Sequence, residues 1–99
     1  MKMTIDQLVR EAHTTAIDKG WWIFPRTDLE IHALIHSEIA EATEAVREKG
    51  EYAHMEELAD AVIRIADFFG KKGWDLTTAL GMKMAYNRTR PFRHGGKRA

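Results

Sequence analysis

A chain of 99 residues can form one domain with one hydrophobic core, but it is too short to bury both faces of long helices unaided. The absence of cysteine excludes disulfides, thiolate metal sites and a cysteine nucleophile, and no apolar run is long enough to span a membrane. A formal net charge of zero hides an asymmetry: ten carboxylates between Asp28 and Asp60 face only Arg47 and Lys49, whereas no acid follows Asp75 and the cations Lys83, Arg88, Arg90, Arg93, Lys97 and Arg98 do.

The start, Met1-Lys2-Met3-Thr4, lacks the apolar run of a signal peptide, and a cytoplasmic protein is expected. A first helix is predicted over 4–19. Thr4 and Gln7 form a capping box, Ile5, Leu8, Ala12 and Ala16 have helical spacing, and Gly20 closes it. Trp21-Trp22-Ile23-Phe24-Pro25 reads as an extended connector, because the proline turns Phe24 away from helix. Thr27 and Glu30 cap a second helix over 28–49, ended by Gly50, and a third runs over 52–71 to Gly73. Asp75 caps a fourth, which carries Leu76, Leu80 and Met84 and fades before Pro91.

No segment alternates as a strand does, so the expected class is all-α: a bundle of four helices with short connections and antiparallel neighbours. Residues 1–92 form the domain and 93–99 a basic tail, with His94, Gly95 and Gly96 available to close over an anion. The helices have more apolar circumference than one chain covers, and a homodimer or homotetramer is expected.

Glu38 and Glu41 on the second helix, and Glu57 and Asp60 on the third, are each spaced i, i+3 and share a helix face. Two such helices side by side gather four carboxylates, oxygen ligands suited to Mg²⁺ or Mn²⁺. Acidic helices produce this spacing often, and surface charge or buried salt bridges are the plainer readings. Glu38 is more telling. It projects between Leu34 and Ile35, inside the arc that Ile31, Ile39, Ala42 and Val46 continue, where an ionised carboxylate is costly unless paired or metal-bound. On the third helix Leu58, Val62, Ile65, Ala66 and Phe69 form the main apolar stripe.

The run Ser37-Glu38-Ile39-Ala40-Glu41, followed by Glu57-Leu58-Ala59-Asp60 and by the closing Lys83-x-x-x-Asn87-x-x-Arg90, resembles the signature of the MazG-like all-α nucleoside triphosphate pyrophosphohydrolases over most of the chain. The chain looks like their compact single-domain members. It departs from them at Ser37, where many carry a second glutamate, which leaves the number of metal ions open. The resemblance implies a Mg²⁺-dependent enzyme, with Mn²⁺ as a substitute, that splits an NTP or dNTP, the dNTP favoured, into monophosphate and pyrophosphate by attack of water at the α-phosphorus. Glu38, Glu41, Glu57 and Asp60 are then the catalytic metal ligands, and Lys83, Asn87 and Arg90 the phosphate-binding residues.

Trp21 and Trp22 offer flat faces for a base, Trp22 being the preferred of the two, or cap the bundle or fill a dimer interface. His32 and His36 are i, i+4 but point away from the apolar arc with no third zinc-type ligand; solvent, an interface or, for His36, a sugar contact is expected. A rival reading is a non-catalytic helical oligomer that binds nucleic acid or a protein partner through the basic end. Glu38 argues against it, because phosphate binding needs no carboxylate on an apolar face; nucleic acid is not the expected partner.

Overall fold

A computed structural model describes residues 2–93. The described residues form four helices and no strand: α1 (Ile5–Asp18), α2 (Asp28–Glu48), α3 (Gly50–Lys72) and α4 (Leu76–Thr89). Each predicted cap forms. Thr4 accepts from the Gln7 amide and Thr27 from the Glu30 amide, each reciprocated by the side chain three residues on, and Asp75 accepts from the Thr78 amide and hydroxyl. The Thr27 amide and hydroxyl hold the Glu30 carboxyl below the usual glutamate range, and those of Thr78 do the same for Asp75. The third helix starts earlier than expected. Gly50, at φ +85, turns the chain after Lys49 alone and is already counted in α3, so α2 and α3 make a tight hairpin.

Residues roughly equidistant from that turn therefore meet across the hairpin. Glu41 lies opposite Glu57 and Lys72 pairs with Asp28 at 2.9 Å, while Arg64, about a turn farther from Lys49 than Glu38 is, reaches back to bond it at 3.0 Å. α3 is the central helix, with α2 on one side and α1 on another, and α4 makes its main contact with α1. The Thr77 hydroxyl donates to Asp6 at 2.8 Å across that last contact. Trp74 holds the turn between α3 and α4 edge-on to Phe68 and Phe69.

The core is small and made largely of alanine: Ala12, Ala16, Ala42, Ala45, Ala61 and Ala66, joined by Ile31 and Phe68. Alanines let helix axes come close but bury little apolar area each. The predicted stripe of α3 is largely not the buried one. Leu58, Val62 and Ile65 are 42%, 52% and 37% exposed, and Val46 of α2 is 59% exposed; only Ala66 of that stripe is fully buried. The three α3 residues share a face as their spacing requires, but α1 and α2 pack on α3 either side of it, through Ala61, Ala66, Asp67 and Phe68, and leave that face open. The chain exposes 7945 Å², against about 5800 Å² for a compact monomer of its mass.

α1 and α3 approach closely at Gly70. A β-carbon there would stand 2.6 Å from His13 Cβ, whereas one at Gly81 in α4 would meet nothing within 4 Å. Gly70→Ala is accordingly expected to cost about 1–3 kcal/mol as α1 is pushed off. Gly81→Ala should stabilise by about 0.5–1 kcal/mol through helix propensity. Chemical denaturation of the two variants checks both signs; equal effects would mean that the α1–α3 approach is not tight in solution.

No described helix is long and apolar enough to cross a membrane.

Candidate functional site

The hairpin register decides which carboxylates meet. Glu38, Glu41 and Glu57 each bring one oxygen within 4.8 Å of the others. Asp60, expected as the fourth member, is not among them. It follows Glu57 by three residues, which turns it about 60° round α3 and carries it about 4.5 Å along the axis, toward the side that faces α1. There it lines a cleft instead.

Three carboxylates so close repel one another when all are ionised. The Glu57 carboxyl within hydrogen-bonding reach, and then the negative charges of Glu38 and Glu57, hold the Glu41 carboxyl above the usual glutamate range. Glu57 Oε2 is enclosed and meets no hydrogen-bond donor among the described residues, an arrangement that costs free energy unless a cation or a proton fills it. An all-oxygen donor set with an enclosed lone pair and mutual repulsion fits a hard divalent cation. Glu38 is satisfied differently: it accepts from Arg64 Nε at 3.0 Å, with the two side chains only 13% and 22% exposed.

Beside this cluster, between α1 and α3, lies a cleft of about 440 Å³, within the range of small-ligand sites. Glu38, Asp60 and Arg64 line one part of it, and Ala12, Ala16 and Ile63 give it an apolar wall. Trp21 also lines it, with the Arg64 guanidinium 4.1 Å from the ring centroid.

Trp22, the preferred base contact, does not line this cleft. Its Nε1 donates to both Asp67 oxygens at 2.9 and 3.2 Å, and its ring meets His13 edge-on. Asp67 is buried and also bonds His13 Nδ1 at 2.8 Å. This knot of α1, the connector and α3 fixes the indole of Trp22 and turns the neighbouring Trp21 toward the cleft. Sequence reading missed the role of Asp67, although an acid between Ala66 and Phe68 on a helix is the signal of a satisfied buried partner. His36 is exposed on α2, and His32 packs edge-on against Phe68.

Lys83 and Asn87 lie one turn apart on α4, but Arg90, expected on the same helix face, follows the helix as its C-cap residue with extended backbone. The Lys83 ammonium and the Arg90 guanidinium lie 5.0 and 5.8 Å from the Tyr86 ring centroid. The structure does not bring this trio to the carboxylates of its own chain. None of the three lines the cleft or pairs with Glu38, Glu41, Glu57 or Asp60, and α4, which buries no residue, makes its main contact with α1. Of the basic segment 93–99, all but Arg93 lies outside the described residues, His94, Gly95 and Gly96 included.

The architecture so far defined is an all-α chain with a helical hairpin that carries a carboxylate cluster beside a cleft. Compared with protein-family models, curated proteins and solved structures, the chain matches none.

Proposed function

We propose that the chain is a divalent-metal-dependent nucleotide pyrophosphohydrolase of the MazG-like all-α class, converting an NTP or dNTP, the dNTP favoured, into monophosphate and pyrophosphate. The observation that carries this reading is the convergence of Glu38, Glu41 and Glu57, with an enclosed oxygen that has no donor among the described residues, next to a nucleotide-sized cleft. All three carboxylates belong to the acidic pattern that resembles that family, of which Asp60 is the fourth member.

In this reading Glu38, Glu41 and Glu57 hold Mg²⁺, or Mn²⁺ in its place. When bound, the metal supplies neutralisation of phosphate charge and a water of lowered pKa. Asp60 presents to the cleft a carboxylate with no hydrogen bond or ion pair among the described residues, available as a proton acceptor. The apolar wall of Ala12, Ala16 and Ile63, with the Trp21 ring, receives the base, a role that passes from Trp22 to its neighbour. The buried Asp67 knot keeps Trp21 in place.

A second copy of the chain completes the unit, as homodimer or homotetramer. It covers the open face of Leu58, Val62, Ile65 and Val46, an apolar surface of the kind that marks an association site. It also offers its α4, so that Lys83, Asn87 and Arg90 reach the phosphates bound on the neighbouring chain.

The rival of a non-catalytic helical oligomer draws on one observation, that Glu38 already has a cationic partner in Arg64. One assay separates the two. All common NTPs and dNTPs are incubated with Mg²⁺, with Mn²⁺ or with EDTA, and the products are resolved by chromatography. Metal-dependent release of monophosphate plus pyrophosphate is expected, together with a preference for one base. Release of a single phosphate would overturn α–β cleavage. No turnover of any of them, with the protein folded and oligomeric, would favour the rival.

A further inference from the structure

Arg64 is the one described cation that lies both on the carboxylate cluster and in the cleft. Its engagement is incomplete. A guanidinium has five N–H donors in a planar fork that matches a carboxylate or phosphate two bonds at a time. Here only Nε donates, singly, to Glu38 Oε1 at 3.0 Å. Neither terminal nitrogen makes a hydrogen bond to the protein among the described residues. The Trp21 ring, 4.1 Å from the guanidinium carbon to its centroid, supports the plane of the fork without using its donors. An arginine held on one edge by a carboxylate and on one face by an indole, with its remaining donors unspent beside a cleft, is arranged for an anion that arrives through that cleft.

We propose that Arg64 is a phosphate-binding residue that also competes with the metal for Glu38. Without ligand, its positive charge stands beside Glu38 and offsets part of the repulsion within the cluster. When a divalent cation takes Glu38, the guanidinium is released from it. Still stacked on Trp21, it turns its fork to a phosphate oxygen pair of the nucleotide. Arginine stays charged throughout, so the exchange requires no proton transfer. Metal and nucleotide then assist one another: the cation frees the arginine for the phosphate, and the phosphate keeps the arginine from reclaiming Glu38. The carboxylate part of this proposal rests on the metal-site reading above, whereas the anion part stands on the fork and the cleft alone.

The test uses Arg64→Gln and Arg64→Lys in the full chain, with two titrations that need no turnover. Pyrophosphate is titrated in EDTA at low ionic strength, and Mn²⁺ is titrated without nucleotide. Arg64→Gln is expected to weaken pyrophosphate binding by about tenfold or more. It should tighten Mn²⁺ binding several-fold, because the competing cation has gone. Arg64→Lys keeps the charge but not the fork. It should fall between wild type and Arg64→Gln for pyrophosphate, and it decides the matter if the glutamine variant does not fold. Pyrophosphate affinity unchanged in the folded variants, or no pyrophosphate binding by the wild type, overturns the anion role. Mn²⁺ affinity that is unchanged or weaker in Arg64→Gln overturns the competition. Wild type that binds pyrophosphate but no Mn²⁺ removes the metal-site reading and the competition with it, and leaves the anion role standing.

Discussion

Glu41→Gln is expected to raise the melting temperature of the metal-free protein at neutral pH and to lower its nucleotide turnover by on the order of 10³-fold or more. The two effects have one cause. In the metal-free chain Glu41 faces the Glu57 carboxyl and the negative charges of Glu38 and Glu57, and its carboxyl is held above the usual range. A carboxyl whose pKa is higher in the folded than in the unfolded state favours folding while protonated. That contribution is complete below the unfolded value and is lost as pH rises through the folded one. Wild type should therefore lose stability relative to Glu41→Gln as pH climbs from the ordinary glutamate range through the raised value, and remain behind it at neutral pH. Glutamine keeps the shape and can donate to the enclosed Glu57 oxygen, which meets no donor among the described residues.

Mg²⁺ or Mn²⁺ should reverse the order, because a ligand that binds only the folded state stabilises by mass action. The wild-type melting temperature should rise with metal concentration and that of Glu41→Gln should barely move. Thermal melts across pH with and without metal, beside the turnover assay, check all of this. A cluster that is merely surface charge gives the opposite pattern: a small shift on substitution, no response to metal, and turnover, if any, unchanged.

The boundaries of the helices are readable in the chain because each is set by local chemistry. Thr4 with Gln7, Thr27 with Glu30, and Asp75 satisfy their own helix starts whatever the rest of the molecule does. The meeting of Glu41 with Glu57 is half readable. The i, i+3 spacing gives a shared face, but the single-residue turn at Lys49 sets the register. What a helix does not encode in its own sequence is its rotation about its axis relative to its neighbours. α3 carries a face of Leu58, Val62 and Ile65, flanked by Ala61 and Ala66, and hydrophobicity alone favours burying it. The close α1–α3 approach at Gly70 and the bonds from His13 and Trp22 to Asp67 turn the Asp67 side of α3 inward and leave that face open. That same rotation carries Asp60 and Arg64 into the cleft and Asp60 out of the carboxylate cluster. The partner that fixes Trp22 is Asp67, which lies 45 residues beyond it and is invisible to any local reading of the connector.

The position of α4 leads to the second large effect. Lys83 and Asn87 stand on, and Arg90 directly follows, a helix that is packed mainly on α1 and has Met82 and Met84 exposed. If they serve the carboxylates of a neighbouring copy, two inactive variants should repair each other. Glu38→Gln lacks a working carboxylate cluster but has an intact α4; Arg90→Ala has the reverse. In a two-fold dimer, a mixed pair holds one site with both wild-type halves and one with neither. Subunits exchanged at random in equal amounts make half of the dimers mixed. The mixture should therefore recover about a quarter of wild-type turnover from two nearly silent parents. If α4 instead acts on its own chain, every site in the mixture carries one defect, and mixing recovers nothing. The control is the pair Glu38→Gln with Glu57→Gln, both defective in the same half of the site, which should stay silent in either arrangement. Recovery in the first pair and silence in the second require that the site span two chains. A short chain with an alanine-rich core would then have a functional as well as a packing reason to associate. Silence in both pairs, with subunit exchange demonstrated, would confine α4 to its own chain or remove it from the site.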